Sequence, residues 1–103
     1  MWAQLIKTRL RAGHDEGLKQ LFEQLRAFEK PGSGLVRSTA MRDQKDPSQV
    51  YMLVVFESEE KAREREKGRA AQEGFEAVRA TMAEIFDGPP EFVDLIVVGE
   101  TTP

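Results

Sequence analysis

The sequence predicts an α+β domain in which two helices cover one face of a four-stranded antiparallel sheet, and three observations support this prediction. The run Val50–Phe56 has no charge, glycine or proline and is rich in β-branched and aromatic residues, which is typical of a buried strand. Residues 18–28 and 75–86 each carry an apolar stripe at helical spacing. The elements follow the order β-α-β-β-α-β, which is that of a ferredoxin-like sandwich.

The chain begins with a strand predicted over residues 2–10. Gly13 then turns the chain into a helix, and Asp15 is placed to cap the free N–H groups of its first turn. The Pro-Gly-Ser-Gly segment at 31–34 ends this helix. Residues 35–42 form a second strand, whose polar side chains suit the edge of a sheet.

A short loop over residues 43–48 joins the second strand to the third, Val50–Phe56, as an antiparallel hairpin. Ser58 is placed to cap a second helix, and the two glutamates that follow interact favourably with the helix dipole. Gly68 and Gly74 weaken this helix and are the positions where it can bend or split.

A fourth strand is predicted over residues 91–98, after a Gly-Pro-Pro stop. In a sandwich of this order the first and third strands are central, which agrees with the third being the most apolar. We expect one domain over residues 1–99, followed by a polar tail over residues 100–103.

Residues 59–69 of the second helix are almost all charged, and they have two interpretations. One is a phosphate-binding row made of Arg63, Arg65, Lys67 and Arg69. The other is a solvated helix, because glutamates are interleaved with these residues at spacings where opposite charges pair. The interleaving favours the solvated helix, whose charges neutralise each other.

Composition excludes several classes of function. The formal net charge is −3, which gives no general attraction to nucleic acid or to anionic membranes. Cysteine is absent, so disulfides, thiolate metal sites and cysteine nucleophiles are excluded. The N-terminal segment is interrupted by Gln4, Lys7 and Arg9, so we expect no signal peptide and no membrane helix. The prediction is a cytoplasmic protein with no metal and no cofactor.

A strand alternates its side chains between two faces, so Val50–Phe56 needs a cover on each. The helical stripes supply the first cover, and no further element of the chain is available for the second. Because a monomer in water rarely leaves so large an apolar patch exposed, we expect a homodimer in which two copies lay these faces together. The interface candidates are Leu5, Tyr51, Leu53, Val55, Val93, Leu95 and Val97.

Four segments match a known family in their order and spacing. They are the Gly13 turn, the Pro-Gly-Ser-Gly segment at 31–34, Asp43 with Asp46-Pro47 in the hairpin loop, and the run VVFESEEKA at 54–62. On these motifs the chain resembles the dimeric α/β-barrel superfamily, in particular the antibiotic-biosynthesis-monooxygenase-like domains. The resemblance covers nearly the whole chain.

The resemblance implies a ferredoxin-like protomer, a homodimer whose two sheets form a barrel, and a pocket between the sheet and the helices of each protomer. The family includes cofactor-independent quinone-forming monooxygenases and haem-degrading monooxygenases. The haem-degrading branch uses an asparagine, a tryptophan and a histidine at positions that align with Ile6, Phe56 and Gln72. All three are replaced here, which argues against haem degradation.

The pocket candidates share a position that faces the helices, and most are apolar, as in most small-molecule sites. Plain core packing is the alternative for each of them. Gln4 and Gln72 are the more informative, because a buried amide needs a hydrogen-bond partner and a ligand can supply one. The candidates are Trp2, Gln4, Ile6, Met52, Val54, Phe56, Gln72, Phe75 and Met82.

No catalytic residue is identified from the sequence. His14, the one histidine, lies in a glycine-flanked turn with no neighbour placed to orient it, and we expect it to be exposed. Tyr51 is a possible proton donor, but its predicted direction is into the dimer interface. Two roles are possible for the basic side chains of the strands: they can bind an anionic ligand or form ion pairs across the dimer. These residues are Lys7, Arg9, Arg37 and Arg42.

Two functions follow as hypotheses. The first, implied by the resemblance, is a monooxygenase that needs no metal or flavin and binds a phenol- or quinol-type compound in the pocket between sheet and helices. The second is a non-catalytic dimeric module of the same fold that binds a small molecule. The lack of an acid–base constellation in the sequence favours the second.

Overall fold

The computed structural model describes residues Met1–Pro103 and has the predicted α+β architecture. In chain order its elements are β1 (Trp2–Arg9), α1 (Asp15–Phe28), β2 (Leu35–Arg42), β3 (Gln49–Phe56), α2 (Glu59–Ala71), α3 (Phe75–Ile85) and β4 (Glu91–Ile96). The strands form one antiparallel sheet in the order β2-β3-β1-β4, so β1 and β3 are central as predicted. The ferredoxin-like class is confirmed.

The second predicted helix is in fact two helices, because the chain breaks after Ala71. Gly74 takes a φ of +90° just before α3 begins, a backbone conformation that glycine adopts at little cost. Gly68 stays within α2 and does not interrupt it. Ser58 caps α2 as predicted, because its side chain accepts the backbone N–H of Lys61 at 3.2 Å.

Three element ends differ from the predictions. His14, and not Asp15, is the N-cap residue of α1, and no side chain caps this end. The Asp15 carboxylate instead accepts a hydrogen bond from Arg42 of β2 at 2.9 Å. The first strand ends at Arg9 and the fourth at Ile96, each one or two residues earlier than expected.

Strand pairing assigns the residues of the sheet to two faces. The pair Ile6–Met52 lies on the face that the helices cover, here called the helix face. The adjacent pair Leu5–Leu53 lies on the opposite side, here called the open face. Ala62 of α2 packs against the helix face, and all three helices lie on that side.

The helix face carries two separate core clusters. The first is built with α1 and α3 and contains Leu10, Leu21, Val50, Val78 and Ile85. The second is built with α2 and contains Trp2, Val54, Phe56 and Ala62. β3 contributes Val50 to the first cluster and Val54 to the second, while Met52 between them belongs to neither. The helices therefore pack tightly at two places and leave a gap over the middle of the strand.

The C-terminal tail covers part of the open face, a contact that differs from the prediction of a polar tail outside the domain. Arg37 of β2 lies opposite Val55, so it shares the open face, and it donates a hydrogen bond to Glu100 at 2.6 Å. Since β2 and β4 are opposite edges of the sheet, the residues after β4 must cross this face to reach Arg37. Ala3 and Val55 are buried there, with 3% and 2% of their surface exposed.

The rest of the open face is only partly covered. Six of the seven interface candidates, all except Val97, pair directly with a residue of a neighbouring strand on this face. Leu95 keeps 39% of its surface exposed. The half-buried candidates are Leu5, Tyr51, Leu53, Val93 and Val97.

None of the three helices has the length and apolar composition needed to cross a lipid bilayer. The longest, α1, has 14 residues and carries charged side chains along its outer surface.

The close approach of α1 and α3 generates a stability prediction at two helical glycines. A Cβ at Gly17 would lie 2.5 Å from Cγ2 of Ile85, whereas a Cβ at Gly68 would meet no atom within 4 Å. We expect Gly68→Ala to raise the free energy of unfolding by about 0.5–1 kcal/mol through helix propensity. We expect Gly17→Ala to lower it by about 1–3 kcal/mol, because Ile85 must move within a packed core.

Urea denaturation followed by circular dichroism measures both effects, and Gly68→Ala serves as the matched control for Gly17→Ala. If the two variants were equally stable, the tight contact between α1 and Ile85 would be contradicted.

Candidate functional site

A cavity of about 850 Å³, here called the large cavity, lies between the helix face and the helices, where the two core clusters separate. Of its 22 lining residues, 13 are hydrophobic. Ile6 and Met52 line it from the sheet, Leu25 from α1 and Met82 from α3. Its volume falls within the range of about 300–1,000 Å³ that is usual for small-molecule sites.

Aromatic rings form much of the wall of the large cavity. Four phenylalanines line it: Phe22, Phe75, Phe86 and Phe92. Phe75 is itself packed edge-on against Phe28, with ring centroids 5.4 Å apart. Because aromatic rings favour stacked and edge-to-face contacts with other rings, this wall suits a planar aromatic ligand.

A second cavity of about 320 Å³, here called the small cavity, adjoins the large one on the side of Trp2. Trp2 is buried there, and the centroids of the Trp2 and Phe56 rings are 6.2 Å apart. The guanidinium carbon of Arg63 lies 5.1 Å from the centroid of the Trp2 ring. Its ring is thus already packed between protein groups. Both cavities are lined by Ile6, Val54, Arg65, Arg69, Phe75 and Phe92.

The structure distributes the predicted pocket residues over the two cavities. The large cavity is lined by Ile6, Met52, Val54, Phe75 and Met82. Three candidates line the small cavity and not the large one: Trp2, Gln4 and Phe56. Gln72 lines neither cavity. It is the C-cap residue of α2, and its backbone N–H donates a hydrogen bond to the carbonyl oxygen of Arg69.

The Gln4 amide has a protein partner on the helix face. It donates a hydrogen bond to Asp94 at 3.0 Å, and the same carboxylate accepts one from Arg63 at 3.0 Å. The hydrogen bond from Arg63 to Glu59 raises the pKa of Arg63, against a smaller opposing effect of burial and with further support from Asp94. The Gln4 amide therefore has a hydrogen-bond partner without any ligand.

A cluster of three charged side chains lies on the wall of the large cavity. Glu29, the C-cap residue of α1, accepts hydrogen bonds from Nε and Nη2 of Arg65 at 3.2 and 2.6 Å and from Nη2 of Arg69 at 2.8 Å. Ser33 donates a further hydrogen bond to Glu29 at 2.9 Å. The two arginine side chains are only 17% and 15% exposed. The cluster ties the end of α1 to the inner side of α2.

The electrostatics of this cluster balance burial against pairing. Burial alone would raise the pKa of Glu29, but hydrogen bonds from Arg65 and Ser33 and the charges of both arginines hold it below its usual value. Burial lowers the pKa of Arg69, as does the positive charge of Arg65, while Glu29 opposes both effects. Two cations thus share one carboxylate in a poorly solvated place.

The inward direction of Arg65 and Arg69 corrects the prediction that this charged helix is simply solvated. The guanidinium carbons lie 5.3 Å from the ring centroid of Phe56 and 5.9 Å from that of Phe75, respectively. The sequence does contain a signal for this, because Ala62, Arg65 and Arg69 follow at spacings of three and four residues and so share one face of α2. Only Ala62 marks that face as buried.

Three of the four remaining charged candidates form ion pairs with residues that line neither cavity. Arg9 pairs with Asp46 at 3.1 Å, and Arg37 and Arg42 pair with Glu100 and Asp15. His14 is half-buried rather than exposed, and it lines neither cavity.

The wall of the large cavity contains few types of polar side chain. Its lining includes the hydroxyls of Thr8 and Ser38, four arginines and the Glu29 carboxylate, but no histidine, tyrosine, aspartate or lysine. No group of three or more His, Cys, Asp or Glu side chains is placed to hold a metal ion. The wall can bind and orient a ligand, and its charged groups are cationic apart from the paired carboxylate.

Comparison with known proteins connects this architecture to a family. A family model described as antibiotic biosynthesis monooxygenase matches residues 1–77. No curated protein matches the chain.

Solved structures share the fold at low sequence identity. A variant of SnoaB from Streptomyces nogalater, described as a cofactor-independent oxygenase, is 16% identical with a TM-score of 0.74, over 96% of this chain and 94% of that one. Rv0793 from Mycobacterium tuberculosis is 13% identical with a TM-score of 0.74, over 98% of each chain. PA3566 from Pseudomonas aeruginosa is 14% identical with a TM-score of 0.71, over 95% of this chain and 94% of that one. Since the family model spans residues 1–77 of the 103, the chain belongs to the antibiotic biosynthesis monooxygenase family.

Proposed function

We propose that the protein is a monooxygenase that oxidises a small aromatic compound of the phenol or quinol type in the large cavity, without a metal or flavin. The observation that carries the proposal is the cavity itself, about 850 Å³ with a mostly apolar, phenylalanine-rich wall, in a member of this family. The structural similarity to SnoaB, described as a cofactor-independent oxygenase, supports the choice of chemistry.

In such a reaction the substrate supplies the electrons. A phenol whose ring system contains a methylene group, as in an anthrone, reacts with O₂ so that one oxygen atom bonds to the methylene carbon, which becomes a carbonyl. The other oxygen leaves as water with the two hydrogens of the methylene group. The reactive form is the ionised phenol, and the excess of positive charge on the cavity wall, which has four arginines and one carboxylate, favours ionisation over the neutral form.

A non-catalytic binding module of the same fold is the second candidate. It is favoured by the absence of histidine, tyrosine, aspartate and lysine from the wall of the large cavity. The one carboxylate there, Glu29, is held by two arginines and has a lowered pKa, so it is a weak general base.

We also infer that the protein acts as a homodimer joined through the open face. The C-terminal tail covers Ala3 and Val55, but the neighbouring Leu5, Tyr51 and Leu53 remain half-buried in the single chain. A second copy related by a two-fold axis would bury these side chains against their own equivalents.

The oxygenase proposal predicts oxygen consumption that depends on both protein and substrate. We expect aerobic spectra with a panel of anthrone-type phenols to show a quinone product, and an oxygen electrode to show the uptake of one O₂ for each quinone formed. Anaerobic samples are the control. If no member of the panel raised the uptake above the protein-free rate, the oxygenase proposal would fail for these substrates and the binding module would remain.

Substitution of Met52 tests whether the large cavity is the site. Met52→Trp places a bulky indole on the sheet side of the cavity, where space is available, so we expect a folded protein. Oxygen uptake should fall by about tenfold or more, the equivalent of 1.4 kcal/mol or more. Met52→Leu conserves the side-chain volume and should stay within about twofold of the wild type. Equal activity of the two variants would place the reaction elsewhere.

The proposed dimer predicts that a charged side chain placed on the open face converts the protein from a dimer to a monomer in solution. We expect the wild-type protein to sediment as a dimer at micromolar concentration and Leu53→Lys as a monomer, because a charge on the apolar interface opposes its burial. Ala80→Lys, on the exposed side of α3, is the matched control and should remain dimeric. A wild-type protein that sediments as a monomer would overturn the inference.

A further inference from the structure

We propose that Arg65 and Arg69 form a carboxylate-binding subsite on the wall of the large cavity, and that the ligand is an aromatic monocarboxylate. Its ring system would lie against the phenylalanine-rich wall, and its carboxylate against the two guanidinium groups. This inference rests on the proposed function, because it names the substrate class of the same cavity.

The charge of the cavity wall is the first support. The lining contains four arginines, Arg11, Arg26, Arg65 and Arg69, and one carboxylate, Glu29. Arg11 also pairs with Asp87 at 3.9 Å, which leaves a formal charge of +2 when this partner is counted. The whole chain has a formal net charge of −3. The cavity therefore concentrates positive charge against the overall balance of the protein, and an anion is the ligand that this field attracts.

The hydrogen-bonding capacity of the arginine pair is the second support. A guanidinium group carries five N–H donors. Arg65 uses its Nε and Nη2 and Arg69 uses only its Nη2, all three towards Glu29. Neither group donates to any other protein atom, so the Nη1 donors of both are free for a ligand.

The balance between these charges allows the arginine pair to bind one carboxylate of the ligand. Glu29 shows that this pair already binds a carboxylate, at distances of 2.6–3.2 Å. One carboxylate compensates only one of the two cations. A second carboxylate, supplied by the ligand, would neutralise the remaining charge and relieve the repulsion between Arg65 and Arg69, which lie one helical turn apart.

The neighbouring rings hold the subsite in place. Each guanidinium group lies near an aromatic ring, Arg65 near Phe56 and Arg69 near Phe75. Such contacts restrict the planar guanidinium group and reduce the entropy lost when a ligand binds. Since Phe75 also lines the large cavity, an aromatic ligand can contact its ring while its carboxylate contacts Arg69.

Calorimetric titration with a matched pair of probes tests the subsite. 2-Naphthoate and 2-naphthamide have the same ring system and differ in charge at pH 7. We expect the wild-type protein to bind naphthoate about tenfold or more tightly than naphthamide, because charge-assisted hydrogen bonds replace neutral ones. Equal affinity for the two probes would overturn the proposal.

Substitution of Glu29 distinguishes the proposed subsite from a purely structural role, because the two predict opposite changes in naphthoate affinity. Glu29→Gln removes the internal anion that competes for the arginine pair, so naphthoate affinity should rise about threefold or more while naphthamide affinity is unchanged. If Glu29 only held the helices in place, both affinities would fall together, and that result would refute the subsite.

Arg69→Gln and Arg79→Gln complete the test. Arg69→Gln should abolish the preference for naphthoate. Arg79 also lies over Phe75, at 5.4 Å, but it is exposed and lines only the small cavity, so Arg79→Gln should keep the preference of a ligand bound in the large cavity. Thermal unfolding checks that each variant is folded. If Arg69→Gln does not fold, the result for Glu29→Gln decides the test.

The subsite and the oxygenase proposal fail separately. A preference for naphthoate without oxygen uptake from any phenol would retain the subsite as part of a binding module. Oxygen uptake from uncharged phenols with no preference for naphthoate would retain the oxygenase and remove the subsite.

Discussion

The antiparallel pairing of β1 with β3 is the constraint on which the rest of the structure depends. Its register, with Ile6 opposite Met52 and Leu5 opposite Leu53, decides which residues meet the helices and which form the open face. A slip of one residue would exchange the two sets, because side chains alternate along a strand. β3 is apolar on both sides, and β1 adds Ile6 to one side and Leu5 to the other, so both faces need a cover.

The large cavity is a consequence of how the helices provide that cover. α1 and α3 close on Val50 at one end of β3, and α2 closes on Val54 and Phe56 at the other. The Cβ position of Gly17 shows how tightly the first pair is packed. Between the two clusters the helices do not reach the sheet, and Met52 faces open space. A well-packed core would bury more apolar surface, so an internal gap of this size in a small domain points to ligand binding.

The cluster of Glu29, Arg65 and Arg69 has both a structural and an electrostatic effect. It joins the end of α1 to α2 across the gap, which compensates for the missing apolar contacts there. Buried charges are tolerated only when they are paired, and here the pairing is incomplete, since two cations share one carboxylate. The same arrangement that connects the helices therefore leaves the cavity wall positive.

The sequence by itself determined the strands, the faces of Val50–Phe56, the cap at Ser58 and the family, because periodicity and local motifs depend only on neighbours along the chain. The tertiary structure decided the rest. The direction of Arg65 and Arg69 could not be derived from charge interleaving, since one small alanine is a weak mark of the buried face of α2. The contact between Arg37 and Glu100 joins residues 63 positions apart, and no local pattern indicates that the tail crosses the open face. The cavity, too, depends on the distance between packed helices and the sheet, a property of the assembled layers that no single segment carries.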